Sequence, residues 1–377
     1  MTFSRREFAR GLLAAIVVRS PESVSEILEG ATTPGWFSPQ EINSAVIDIW
    51  YKGKRFTKAY GQAVNVDQLF VIASISKPVV ATTAMIFRDR GDLALEDRAT
   101  KFVPEFQGGW RNEVTLGNLL THTAGLPDTL PQMHQMVARQ ASLEEMFAAT
   151  CKLPLLFKPG AAVSYSNLGV LVVKEILERI TGAPLKEVIK RELFDPLGMK
   201  ASSLGLGGRP LSSTVVIQKK QDSTDPNIAY HGDLGAPWGG VHSTVADVML
   251  LLRYFVDPSE TQLLRVETAR DMLQDHCKGL NQPWGIGWML AKSHDCYFSV
   301  RPTWGRYGWS AVVADPEQGP AFGLNCSAST FGHYGVTGTI AWADPQNDIA
   351  MVLLTSKPVR HSRDGVLGPV SDLVSKL

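Results

Sequence analysis

The chain of 377 residues carries 37 basic and 37 acidic side chains, so its formal charge at pH 7 sums to zero. With no recurring basic block, this balance argues against nucleic acid and anionic membrane surfaces as partners. A hydrophobic share of 44% supplies an ample globular core, yet no apolar run approaches the ~20 residues that span a bilayer.

At the N-terminus, Ser4-Arg5-Arg6-Glu7-Phe8 precedes the short apolar stretch 11–18, and this resembles a twin-arginine export signal. Residues 1–30 are expected to be signal and linker for a periplasmic or exported protein. The alternative is an amphipathic first helix of a cytoplasmic one. Residues 21–31 read as a short helix and 32–40 as a loop. The runs 45–51 and 55–60 form a hairpin across Lys52-Gly53-Lys54. Between 78 and 87 there is no charge and no polar face, which predicts a helix buried on every side and ending near Gly91. Further helices are expected at 114–121, 142–150 and 167–181. The stretch 200–236 is polar and irregular, and 244–255 is a helix capped by Ser243 or Thr244. Strands are expected at 286–290, 307–313, 321–325, 339–343 and 349–355, with a terminal helix over 366–376.

Strands therefore lie at both ends of the chain and helices in its middle. That order predicts an α/β protein of the α+β type, with an antiparallel sheet assembled from both termini and flanked by helices. One domain would cover 31–377, its sheet lobe at about 40–75 and 284–377 and an inserted all-helical lobe at about 76–283. The four cysteines, Cys151, Cys277, Cys296 and Cys326, are widely spaced, against both a disulfide framework and a zinc site. Cys277 and Cys296 could pair under oxidising conditions, but buried free thiols are the preferred reading.

Three stretches carry chemistry. Ser74 and Lys77 stand three apart at the mouth of the buried helix, on one face of its first turn. Pro78 fits there because a first turn needs no amide hydrogen. The helix start also offers unpaired N–H groups and a positive dipole end. Hydroxyl, amine and anion-stabilising donors at one spot are the parts for acyl transfer through a serine. A capping serine followed by a solvated lysine is the bland alternative. The second stretch, Tyr165-Ser166-Asn167, opens the helix at 167–181, with an N-cap asparagine as its plain reading. The third, Phe331-Gly332-His333-Tyr334-Gly335, runs through glycines that let backbone approach a ligand closely, although a hairpin with an exposed histidine would look the same.

In this order the three resemble the penicillin-recognising serine hydrolases, and most nearly the group of class C β-lactamases, DD-peptidases, D-aminopeptidases and β-lactamase-like esterases. Segments 119–127, 194–199 and 239–244 resemble that group too, so the likeness covers about residues 40–360. It implies a β-lactamase/transpeptidase-like fold with the site where sheet and helical lobe meet. It also implies Ser74 as nucleophile, Tyr165 as base beside Lys77, and Asn167, His333 and Gly335 as substrate-binding residues. The oxyanion would lie on the N–H of Ser74 and of a residue after Gly335. Lys77 and Tyr165 must displace each other's titration, since desolvation favours the neutral amine and the cation favours phenolate.

Members acting on penicillins carry Lys-Thr-Gly where this chain has His333-Tyr334-Gly335. A histidine near its ordinary pKa of ~6.5 is mostly neutral at pH 7 and holds a carboxylate weakly. The expected function is therefore a carboxylesterase working through an acyl-enzyme. A β-lactamase or a DD-/D-amino-acid peptidase is the enzymatic alternative. A silent binding protein for peptide or cell-wall fragments is the third reading. The partner would be a small-molecule ester, lactam or peptide, with no metal or other cofactor. His122 and His242 are expected to hold their loops through backbone hydrogen bonds.

Overall fold

The computed structural model describes residues 22–33, 41–63, 65–219, 227–259, 261–293, 297–303, 306–312 and 320–377. The paired arginines and Cys296 lie outside the described residues, as do the greater part of the 32–40 loop and residues 220–226. Strands β1 (Ser44–Tyr51) and β2 (Lys54–Gly61) form the expected hairpin. Lys52 and Gly53 turn it at φ of 47° and 79°, the left-handed pair that matches strand twist.

The chain then leaves the sheet through the short β3 (Phe70–Val71), β4 (Ser203–Leu204) and β5 (Val241–Ser243). It returns as β6 (Met289–Leu290), passes a separate hairpin of β7 (Tyr297–Thr303) and β8 (Arg306–Val312), and ends in β9 (Phe331–Gly335), β10 (Thr339–Asp344) and β11 (Ile349–Thr355). The main sheet is antiparallel in the order β2-β1-β11-β10-β9-β6. Its centre joins the two ends of the chain, with Ala45 opposite Thr355 and Tyr51 opposite Ile349.

Alternate side chains of these strands serve two cores. Ile47, Ile340, Trp342 and Leu353 pack with helices α1 (Glu22–Thr32) and α5 (Leu367–Val374), the latter being the predicted terminal helix. Val46, Ala341, Val352 and Leu354 pack on the other face with α2 (Ser76–Arg90) and α4 (Val245–Val256). With both faces covered, β11 reads as an unbroken apolar run, Ile-Ala-Met-Val-Leu-Leu.

Helix α2 is buried at every residue from Ser76 to Phe87 and stops at Gly91, φ 89°. Thr82 and Thr83 are tolerated inside it because their hydroxyls donate back to the carbonyls of Pro78 and Val79. Helix α3 (Asn167–Thr181) is capped by Ser166, whose Oγ accepts the Gly169 N–H, and α4 is capped by Thr244. The part of the chain between β2 and β6 is mainly helical, and within it β5 pairs with both β3 and β4.

Two expected strands differ. Residues 321–325 are turn, because the N–H groups of Leu324 and Asn325 go to Asp372 Oδ1 and Ser375 Oγ on α5 and beyond it, leaving no ladder to join. Of 286–290 only Met289–Leu290 pairs. The N–H groups of Ile286 and Gly287 are taken by the carbonyls of Met272 and Leu120 instead. Cys151, Cys277 and Cys326 are free thiols. Among the described residues, no helix is long and apolar enough to cross a membrane.

Candidate active site

Ser74 sits in the 3-10 turn Ala73–Ile75 that runs directly into α2. Ala73 holds φ at 47°, a left-handed conformation costing roughly 1–2 kcal/mol for a residue with a Cβ. That bend turns the chain from β3 into α2 and leaves Ser74 bordering a cavity of about 600 Å³. Tyr165, Asn167 and Asp128 border the same cavity, opposite an apolar wall of Met133, Val137, Met146, Leu234 and Trp238.

Lys77 stands behind the serine, 2% exposed. Its Nζ donates to Ser74 Oγ at 2.9 Å and to the Trp238 carbonyl at 2.8 Å. The Tyr165 ring centroid lies 4.6 Å from the same nitrogen. Loss of solvent drives the lysine pKa from 10.5 down to about 7, against a weaker upward pull from Asp128. Burial likewise raises the Asp128 carboxyl, with Lys77 opposing. Ser74, Lys77 and Tyr165, 91 positions apart at the extremes, thus meet around one amine.

His122 explains how Tyr165 is held. It is buried at φ 59°, its ring lies 4.7 Å from the Tyr165 ring, and its Nδ1 accepts the Ser166 N–H at 3.2 Å. Burial, with help from Lys77 and His333, keeps the ring neutral. The expected backbone hydrogen bond is present, and it ties the loop after residue 120 to the start of α3. Asn167 is the first residue of α3 and not its cap, so its side chain is released to the cavity. Its Oδ1 is buried with no hydrogen-bond partner among the described residues. His242, on β5, does not border the cavity.

The third stretch requires correction. His333 was expected to meet substrate, but it is fully buried and absent from the cavity lining. Its ring lies 6.0 Å from Tyr165 and 6.3 Å from Trp284. Nδ1–H donates to the Tyr334 carbonyl at 2.7 Å, and Nε2 has no partner among the described residues. Burial first, and the lysine charge second, hold its pKa at about 3, so the ring is neutral throughout the ordinary pH range. Tyr334 turns its hydroxyl to the Arg360 carbonyl at 3.3 Å. Gly335 acts by being small: a Cβ there would fall 2.5 Å from Thr339 Oγ1 and 2.6 Å from the Ile72 carbonyl. Its absence lets β9 close against the turn that carries Ser74, and the next residue, Val336, reaches the cavity.

Asp128 and Trp238 were missed. Asp128 immediately follows the Gly-Pro loop 121–127, and an acid at the end of such a loop was the available signal. Trp238 acts through a carbonyl, which leaves no mark in a sequence. Among the described residues, no group of three or more His, Cys, Asp or Glu could hold a metal ion.

The sequence profile of the β-lactamase family matches residues 31–374. A putative D-alanyl-D-alanine carboxypeptidase of Escherichia coli (strain K12) is 24% identical over 84% of this chain and 77% of its own length. Esterase EstB of Burkholderia gladioli is 34% identical over 37% of this chain and 39% of its own. Among solved structures, EstCE1, described as a hydrolase with promiscuous acyltransferase activity, matches with a TM-score of 0.70 at 20% identity. That match covers 98% of this chain and 100% of EstCE1, and its likeness concerns the fold.

Proposed function

The chain belongs to the β-lactamase family of hydrolases, and from that premise we propose that it cleaves carboxylic esters through an acyl-enzyme on Ser74. The observation that carries the reading is the 2.9 Å Ser74–Lys77 hydrogen bond at the edge of a cavity with no lysine or arginine in its lining. An amine with a pKa of about 7 is free of its proton in about half of the molecules at neutral pH, and so is available as a base. With His333 buried and neutral, no cation awaits the free carboxylate that penicillins and peptide C-termini bring.

In the first half-reaction Ser74 Oγ bonds to the ester carbonyl carbon while its proton passes to the Lys77–Tyr165 pair. Lys77 Nζ donates to Ser74 Oγ and the Tyr165 ring lies against that amine, so the proton is assigned to the pair and to neither member alone. The tetrahedral oxyanion rests on the N–H of Ser74, in the first turn where no intrahelical acceptor exists, and on that of Val336. Collapse breaks the bond to the alkoxide, which takes the proton from the pair and leaves as alcohol. Water then gives a proton to the pair and hydroxide to the acyl carbon. The acid departs and Ser74 recovers its proton. Asn167 Oδ1 would orient the substrate. Export to the periplasm is the proposed location, supported by Arg5-Arg6.

The test compares p-nitrophenyl butyrate, nitrocefin and a D-alanyl-D-alanine peptide with wild type and Ser74→Ala. The butyrate ester should be the best substrate, and Ser74→Ala should lose at least about 10³-fold on all. Faster nitrocefin turnover overturns the ester assignment, and residual full activity in Ser74→Ala overturns the nucleophile.

A further inference from the structure

We infer that Asp128 is a subsite for a positively charged group on the acyl part of the substrate, selecting esters that carry an amine or quaternary ammonium. This rests on the hydrolase reading above. Asp128 is partly buried and borders the same cavity as Ser74 and Asn167. Its carboxylate accepts the Asn167 N–H at 3.4 Å and makes no ion pair with any described residue.

Several other buried or partly buried aspartates among the described residues are answered by a cation. Asp48 receives Arg55 and Thr57, Asp89 receives Arg265 and Thr268, and Asp372 receives Arg363. A half-desolvated carboxylate held by one long N–H hydrogen bond and no ion pair is costly, and a cation arriving with the substrate would lower that cost. Lys77 acts on Asp128 only through space and does not reach ion-pair distance, its amine lying against Ser74 Oγ and the Trp238 carbonyl. The cavity is otherwise suited to a cation. No lysine or arginine lines it, and the Tyr165 and Trp238 rings border it, surfaces that attract quaternary ammonium. The other titratable groups in its lining are His134, His231, Tyr165 and Tyr334.

Two p-nitrophenyl esters of equal shape test the subsite: the 4-(trimethylammonio)butyrate, permanently charged, and the 5,5-dimethylhexanoate, its neutral isostere. Wild type should prefer the cationic ester by about tenfold or more in kcat/KM, and Asp128→Asn should bring the ratio to about one. A ratio that survives in Asp128→Asn, including the case where both esters slow together, overturns the proposal. A second readout needs no turnover. Benzyltrimethylammonium should bind Ser74→Ala by calorimetry and fail to bind the Ser74→Ala/Asp128→Asn double variant. No binding to Ser74→Ala overturns the subsite even if esters are hydrolysed. Binding without ester turnover by wild type overturns the hydrolase reading alone.

Discussion

Among the described residues two lysines are buried, and they have opposite fates. Lys174, 4% exposed on α3, has its amine 2.8 Å from Glu175 and 2.7 Å from Glu178. Burial pushes its pKa down, but the hydrogen bonds to the two carboxylates outweigh this and the net shift is upward. Lys77, 2% exposed at the start of α2, makes no ion pair with any described residue, and its pKa falls to about 7. Both amines are nearly shut off from solvent, but Lys77 is the more deeply desolvated and has no described carboxylate within ion-pair distance, and the two differences act in the same direction. A lysine paired with carboxylates is a structural cation. One paired with a hydroxyl and a carbonyl is a base in waiting.

The strongest way to break this contrast is Lys77→Met. If the amine is the base, kcat/KM for p-nitrophenyl butyrate should fall about 10⁴-fold or more. The folded protein should at the same time be more stable at pH 6. Between about pH 7 and 10.5 the unfolded chain binds a proton at this position that the folded chain does not, so the lysine's destabilisation grows as pH falls and is complete below 7. A methionine of similar length removes it, and urea titration at pH 6 should report a gain of about 1–4 kcal/mol. Equal or lower stability there would show that the buried amine carries no strain.

Lys174→Met should act in reverse. It removes the cation beside Glu178 and leaves Glu175 only Arg179 at 3.9 Å, so unfolding free energy at pH 7 should drop by about 3 kcal/mol. Turnover per folded molecule should stay near wild type, because α3 borders the cavity at Asn167, about two turns before Lys174. A specific loss of kcat in Lys174→Met would blur the distinction between the two sites.

The smallest expected effect sharpens the comparison. Wild-type kcat/KM should rise with pH through a limb near 7, as Lys77 loses its proton, and level off above it. His333→Asn should leave that limb within about 0.5 unit, because a ring held neutral at about pKa 3 adds no charge beside the lysine. A shift of a full unit would mean that His333 carries charge in the working enzyme.

Much of this site was legible before any coordinates. The charge-free run 78–87 foretold a helix buried on every side, and a lysine at its mouth had no packing reason to be there. The hairpin at Lys52-Gly53 and the apolar strands at the far end foretold a sheet closed by both termini. What failed to read through was direction and partnership. His333 lies within the predicted third stretch, but the strand's two-residue alternation sends it behind Tyr165 against Trp284, a neighbour 49 positions away. Residues 321–325 have strand-like composition, yet two side chains near the C-terminus, Asp372 and Ser375, claim the N–H groups a ladder would need.

The amino-acid order alone pointed to the chemically capable residues and to most of the helices and strands, because reactivity follows residue type and periodicity follows local backbone geometry. Tertiary structure alone decided which of those groups face the cavity, which stay charged and which carboxylate is left without an ion pair. Those properties depend on desolvation and on neighbours brought from distant parts of the chain, and neither is written in any one stretch of it.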